Sequence, residues 1–327
     1  MNIADIAKLA GVSSAAVSRY FNKGYISKEK KAAIQKVVEE TGYRPSVQAQ
    51  TLRTKKTKMI GLILPRINSA AMASVVEGIL SVLDQNDYRV LLANTQNNLK
   101  KELEYLDVFS QKQVDGIIFV GTVFTTKHKK ALENLKIPIV IVGQRLNGYY
   151  CVYHDDYYAA YDLTKMMIDK GRKNLGFIGV LELDEAAGME RRKGFLHAIE
   201  DFNLVGLEKH YEIANFTIES GYEKAKVMME KFPDIDGLVC ATDAIAIGAM
   251  KYLKEQRVRI PEDIMLTGQG DSDMSEVTTP SLTTVHFSYE QSGILSANMI
   301  MDLVSKREVT IKEVKLNYRI VKRESTM

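Results

Sequence analysis

The sequence has no tryptophan, two cysteines and six prolines in 327 residues. Cys151 and Cys240 stand far apart without CxxC spacing, which excludes a disulfide-stapled scaffold and a paired-thiol metal or redox site. No apolar run approaches the roughly 18 residues needed to span a bilayer. The N-terminus lacks the basic, then apolar, then small-residue order of a secretory signal, so the expected compartment is the cytoplasm and no membrane partner is expected. The five histidines, His128, His154, His197, His210 and His286, show no HExxH or other short ligand spacing, so no metal is expected. No GxSxG elbow is present, and the nearest glycine loop, "GQGDSD" from Gly268, lacks the third glycine of a dinucleotide fingerprint. No cofactor is expected, and catalysis on a Rossmann-like body is the weaker alternative to a binding function.

What the sequence does contain is unevenly distributed. With 46% hydrophobic and 26% charged residues it belongs to the globular class, and its length implies two or three domains at roughly 150 residues each. Residues 1–58 hold 12 Lys and Arg against 4 Asp and Glu, a net +8, whereas the other 269 residues carry −5 within the overall +3. A basic head on a mildly acidic body points to a polyanion at the head, although a solvated helical face would carry the same charge.

In that head, Ile3, Ile6, Ala7 and Ala10 fall on one helical face. After a break at Gly11, Val12, Ala16, Val17 and Phe21 continue on another. Ser13 is placed to cap the second helix; a third helix from about Ser27 to Thr41 starts on a serine cap and stops at Gly42. The pattern predicts a helix-turn-helix with a support helix, in which the N-terminal residues of the second helix meet base edges in the DNA major groove.

Asp5, Ala7, Ala10, Gly11, Val12, Ser13, Val17, Ser18, Arg19 and Asn22, followed by "TGYRP" from Thr41, form a long and specific pattern. It resembles the DNA-binding head of the LacI/GalR repressor family, departing at Asn2 and Ala16, where that family usually has Thr. The resemblance implies a double-stranded operator as partner, contacted through Asn2, Ser13, Ser14, Ala15, Ser18, Arg19 and Asn22. Arg19 can fork onto guanine O6 and N7, and Ala15 can touch a thymine methyl. The segment "SVQAQTLRTKK" has helical composition without an apolar stripe. Its match to the family's hinge helix implies that two copies order together in the minor groove, with Ala49, Leu52 and Lys55 at the DNA and Leu52 wedged between base steps. Lys56 and Lys58 are expected to serve phosphate contact as well.

From Met59 the pattern turns to apolar runs alternating with amphipathic stretches: "MIGLILP", "YRVLLAN", "DGIIFVG", "PIVIVG", "NLGFIGV", "GLVCAT" and "IMLTGQG". Strands this apolar are buried on both faces, which predicts a helix-covered parallel sheet of the α/β class. There are too many for one Rossmann-like sheet, so two lobes are expected. The family resemblance extends along the whole chain and implies a two-lobed periplasmic-binding-protein-like effector domain. The expected division is a helix-turn-helix domain over 1–45, a hinge over 46–58 and an effector and dimerisation domain over 59–327. Its N-lobe would span about 59–154 and 288–317 and its C-lobe about 157–285 and 320–327. Crossovers are expected near Tyr153 to Asp156, Val285 to Phe287 and Asn317 to Arg319. No heptad tail follows, so a homodimer is expected, with the helix around Met72 to Leu83 at the seam.

Ligands in such folds bind beyond the strand C-terminal ends, here the cleft between lobes. A helix beginning near Ser69 would aim its N-terminus at that cleft and favour anions. The family commonly has an acidic residue after the first strand's proline; here it is Arg66. "AAGMERRKGF" aligns with the family's effector motif R-x-x-G-F and places Arg191 on its ligand-contacting arginine. Arg66 and Arg191 are therefore expected to clamp one phosphate or carboxylate across the lobes. By position, Asn68, Met72, Asp155, Phe216, Thr242, Asp243, Gln269 and Asp271 complete the expected effector site, with Gly270 at the family's usual aspartate position. "PRINS", "YHDDYYAAY" and "GVLELDEAAG" are similar to the branch that answers to sucrose or trehalose, in part as 6-phosphates. The expected function is thus repression of a sugar-utilisation operon, relieved by a sugar or sugar phosphate. The alternative within the family is a catabolite-control-type regulator with a phosphoprotein corepressor.

Overall fold

The computed structural model describes residues 1–22, 24–43, 56–111 and 113–327. It divides into two compact units, Met1–Thr57 and Lys58–Met327.

The first unit holds three helices: α1 (Ile3–Leu9), α2 (Ser14–Phe21) and α3 (Lys28–Thr41). Each starts on a side-chain cap that satisfies amides left open at a helix N-terminus. The Asn2 side chain accepts from the Ala4 and Asp5 amides while the Asp5 carboxylate accepts from the Asn2 amide, a reciprocal capping box. Ser13 caps α2 and Ser27 caps α3. Gly11 and Gly42 both stand at φ 62°, the left-handed conformation that a tight turn and a helix stop require. Among the described residues the buried side chains are few: Ile6, Ala7, Ala16, Val17 and Ile34.

The second unit begins with β1 (Met59–Leu64), α4 (Ala70–Gln85), β2 (Arg89–Asn94), α5 (Leu99–Ser110), β3 (Gly116–Val120), α6 (Thr126–Glu133), β4 (Ile139–Val142) and β5 (Tyr150–His154). The chain then crosses into a second lobe: α7 (Asp156–Asp169), β6 (Leu175–Gly179), a π-helical turn (Glu185–Glu190), α8 (Arg191–Asp201), β7 (Tyr211–Ile213), α9 (Ile218–Lys231), β8 (Gly237–Cys240), α10 (Asp243–Glu255), β9 (Met265–Thr267) and α11 (Asp273–Val277). β10 (Thr284–Phe287) precedes α12 (Tyr289–Val304), which returns to the first lobe, followed by β11 (Glu313–Leu316) and β12 (Tyr318–Val321).

The N-lobe sheet has the order β11-β5-β4-β3-β1-β2 and the C-lobe sheet β7-β6-β8-β9, with β10 and β12 forming a separate pair. Both sheets are parallel, and among the described residues only the β10–β12 pair is antiparallel. Helices cover both faces, so every residue of β3 and β6 is buried, as their unbroken apolar runs require. Three passages join the lobes: His154 to Asp156, Phe287 to Tyr289 and Leu316 to Tyr318. In the N-lobe α4 and α12 pack backbone to backbone at Gly78 and Gly293, where an added Cβ would lie 2.1 Å from Glu290 O and Val75 O respectively.

Lys58, expected at the DNA, belongs to the body. Its amide donates to Asp115 at 3.0 Å, and its ammonium lies 4.4 Å over the Tyr88 ring. No helix among the described residues is long and apolar enough to cross a membrane.

Candidate functional site

On α2, burial of Ala16 and Val17 turns Ser14, Ala15 and Arg19 outward. Ser13 is exposed beside them, while Ser18 is half-buried and accepts from the Asn22 side chain. This face presents a hydroxyl, a methyl and a guanidinium, with no acid on the helix, which suits base edges and phosphates. Asn2 is committed to its capping box and stands at the start of α1. Ala49, Leu52 and Lys55 lie outside the described residues.

Between the lobes of the body is a cavity of about 310 Å³. The N-lobe supplies Arg66, Asn68 and Met72 from the loop and first turn after β1; the C-lobe supplies Arg191, Phe216, Thr242, Asp243 and Gln269. Two expected members are absent. Asp155 turns away to cap α7 and to pair with Lys315 at 2.7 Å, and its neighbour Asp156 faces the cavity instead. Gly270, at φ 141°, swings Asp271 out of the cavity into an ion cluster with His286 at 2.9 Å and Arg323 at 2.8 Å. A side chain at position 270 would be strained in that backbone conformation.

The expected two-arginine clamp also needs correction. Arg191 is 5% exposed, and its Nε and Nη2 donate to Asp156 Oδ1 at 2.8 and 2.7 Å while Nη1 donates to the Ala241 carbonyl. Burial alone would lower its pKa, but Asp156 and Tyr289 outweigh that and raise it. Its charge is already balanced before any ligand arrives.

Arg66 differs. Its guanidinium stacks 3.6 Å over the Phe216 ring, spanning from one lobe to the other. One face of Phe216, a residue expected in the effector site, is thus covered by Arg66. Arg66 Nη1 is buried and has no hydrogen-bond partner among the described residues. Burial lowers its pKa, opposed by nearby Asp184. Beside it α4 opens at Ala70 with no side-chain cap from Ser69, and Ser69, Ala70 and Ala71 line the cavity.

Three further groups of the cavity were not assigned to the effector site from the sequence. Burial pushes the Asp184 carboxyl up to about 6 although the Ala187 amide donates to it. His154 is 7% exposed, rings with Phe287 and Tyr289 at 5.2 Å, and leaves Nε2 without a partner among the described residues; burial lowers its pKa. Tyr289 lines the wall beside Arg191. Asp243 accepts from the Ser272 amide at 2.7 Å and from the Thr284 hydroxyl, and burial raises its pKa. Gln269 is 2% exposed and leaves Oε1 without a partner among the described residues. Thr242 caps α10. The polar groups are arranged to hold a small polar molecule, and no cluster of three or more His, Cys, Asp or Glu that could hold a metal occurs among the described residues.

Residues 2–46 match the bacterial regulatory proteins of the lacI family, and residues 164–326 match a periplasmic binding protein-like domain. The sucrose operon repressor of Staphylococcus xylosus is 32% identical over 94% of this chain and 95% of its own. The chain belongs to the lacI family. The HTH-type transcriptional regulator RegA of Clostridium saccharobutylicum is 30% identical over 100% of this chain and 99% of its own. Among solved structures, the lac repressor dimer bound to operator and an anti-inducer shares the fold at a TM-score of 0.91 and 19% identity, covering 100% of this chain and 99% of its own. The transcription regulator CcpA of Lactococcus lactis gives a TM-score of 0.76 at 29% identity, covering 82% of this chain and 99% of its own. As a lacI-family member the chain is a DNA-binding transcriptional repressor and not an enzyme.

Proposed function

We propose that this repressor binds a near-palindromic operator as a homodimer and releases it when a phosphorylated sugar occupies the cleft. The similarity to a sucrose operon repressor supports a sugar operon, sucrose first. The observation that carries the phosphate is the buried, unpartnered Nη1 of Arg66 beside the uncapped start of α4. A guanidinium edge beside a helix N-terminus suits an anion, and a sugar 6-phosphate offers both the anion and the hydroxyls that Gln269 and Asp156 can accept. Arg191 orients Asp156 rather than gripping the anion.

At the DNA, Ser14, Ala15 and Arg19 read base edges, and Ser13, Ser18 and Asn22 hold α2. Effector binding must favour the released arrangement by about 1–3 kcal/mol to act as a switch. The test is operator release followed by fluorescence anisotropy, titrating sucrose 6-phosphate, trehalose 6-phosphate, sucrose and trehalose. Release by a 6-phosphate at far lower concentration than by its parent sugar is expected. If no sugar moves operator affinity, the induction reading fails, and the resemblance to catabolite control protein A directs the search to a protein corepressor.

A further inference from the structure

The loop after β9 faces two ways. Gln269, Gly270 and Ser272 line the effector cleft, whereas Asp271 between them turns outward at φ 48°, a left-handed conformation uncommon for any residue but glycine. Such a conformation persists where the surroundings over-determine it. The Asp271 carboxylate accepts from Arg323 Nη2 at 2.8 Å and from His286 Nδ1 at 2.9 Å, with Arg319 Nη2 3.9 Å away. Burial opposes its charge, but the hydrogen bonds from Arg323 and His286 outweigh that and hold the carboxyl below its ordinary range.

These partners stand on the strands that carry the chain between the lobes. His286 lies on β10, which leads into the passage from Phe287 to Tyr289. Arg319 lies opposite it on β12, which follows the passage from Leu316 to Tyr318, and Arg323 lies just beyond β12. The β10–β12 pair belongs to neither large sheet. Backbone bonds tie the loop to the first of these strands: the Gly268 and Gly270 amides donate to the Thr283 and Val285 carbonyls at 3.0 and 2.8 Å. Asp271 extends that hold to the second through Arg319 and Arg323.

On its inner side the same residue reaches the cleft. The Asp271 amide donates to the Thr284 hydroxyl at 3.2 Å, and that hydroxyl donates to Asp243, whose other carboxylate oxygen accepts from the Ser272 amide at 2.7 Å. Asp243 lines the cleft. An unbroken chain of polar contacts thus runs from a cleft carboxylate through Thr284 and Asp271 to both strands. On the reading that the cleft holds the effector, we infer that Asp271 is a positioning residue for induction: it joins the cleft loop to two of the three passages between the lobes, so that displacement of the loop by an effector turns one lobe against the other. This role does not depend on the charge of the effector.

The test compares full-length Asp271→Asn with full-length Asp263→Asn, which removes an ion pair with Arg259 at the opposite end of β9. Asn tolerates positive φ and keeps the size of the side chain while removing its charge. Coupling is read by fluorescence anisotropy as the ratio of operator Kd with saturating sucrose 6-phosphate to operator Kd without it. Asp271→Asn should lower that ratio about tenfold, within the range for substitutions lying between coupled sites, and Asp263→Asn should leave it in place. A ratio in Asp271→Asn equal to the parent's, or an equal fall in both variants, would overturn the inference, because a merely stabilising ion cluster changes the folded fraction and not the coupling. Hydrogen exchange of the effector-free protein gives a readout that needs no sugar. Both β10 and β12 should exchange about tenfold faster in Asp271→Asn, with β1 to β4 unchanged; full protection retained in β12 would also overturn the inference. If sucrose 6-phosphate leaves the parent's operator affinity unmoved, the phosphorylated-effector reading fails by itself, and the exchange measurement decides the role of Asp271.

Discussion

The two faces of the cleft are built on different principles. On the C-lobe face the charged groups are matched within the protein: Arg191 with Asp156, and Asp243 with Ser272 and Thr284. On the N-lobe face Arg66 retains an unpartnered, buried Nη1 and α4 starts without a cap. A matched buried pair is rigid and costly to break, whereas an unmatched donor favours whatever ligand satisfies it. The C-lobe thus fixes the shape of the site, and the N-lobe holds the unmet demand for an anion.

The sharpest way to break this contrast is to remove one half of a matched pair. Asp156→Ala leaves a buried guanidinium uncompensated and should destabilise the body by about 3–5 kcal/mol in chemical denaturation; a loss under 1 kcal/mol would show that Arg191 is solvated. Asp184 gives a pH version of the test. Its pKa is raised by burial from 3.8 to about 6, so the folded protein holds that proton more tightly than the unfolded chain. The associated stability is present below about pH 4 and is lost as pH rises towards and through 6. Asp184→Asn should remove this slope and leave the protein up to about 3 kcal/mol more stable than the parent at pH 7; an unchanged slope between pH 4 and 6 would contradict the assignment. On the N-lobe face, Arg66→Ala should weaken sugar-phosphate binding by about 1.5–3 kcal/mol in calorimetry and leave operator affinity near that of the parent. Equal loss of both would place Arg66 outside the effector site. The smallest effect belongs to the head: Ser13→Ala should cost about 1 kcal/mol of helix stability, seen as weaker operator retention with effector affinity unchanged.

The same contrast explains what the sequence could disclose. The head was readable almost residue by residue, because caps and turns are local: Asn2, Ser13 and Ser27 each act on amides within three residues. The long buried strands were readable for a similar reason, since an apolar run needs no knowledge of its partner. Short or edge strands were not. β11, at the rim of its sheet, alternates Glu313 and Lys315 with Val314 and Leu316, and β7 has only three residues. β5, read as the approach to a crossover, completes the sheet between β4 and β11.

In the cleft, spacing locates a strand end but not which of two adjacent side chains turns inward. Asp155 and Asp271 were assigned there, whereas Asp156 faces the cavity in one case and a glycine at φ 141° redirects the chain in the other. Nor could the sequence reveal that Asp156 neutralises Arg191 or that Arg66 covers Phe216, because both contacts join residues remote along the chain.

The most direct measurement is the ratio of operator-releasing potency between sucrose 6-phosphate and sucrose, in the parent and in Arg66→Ala. A large preference for the phosphate that falls about tenfold or more in the variant is the predicted result. A preference that is absent in the parent, or unaltered by the substitution, would contradict the account.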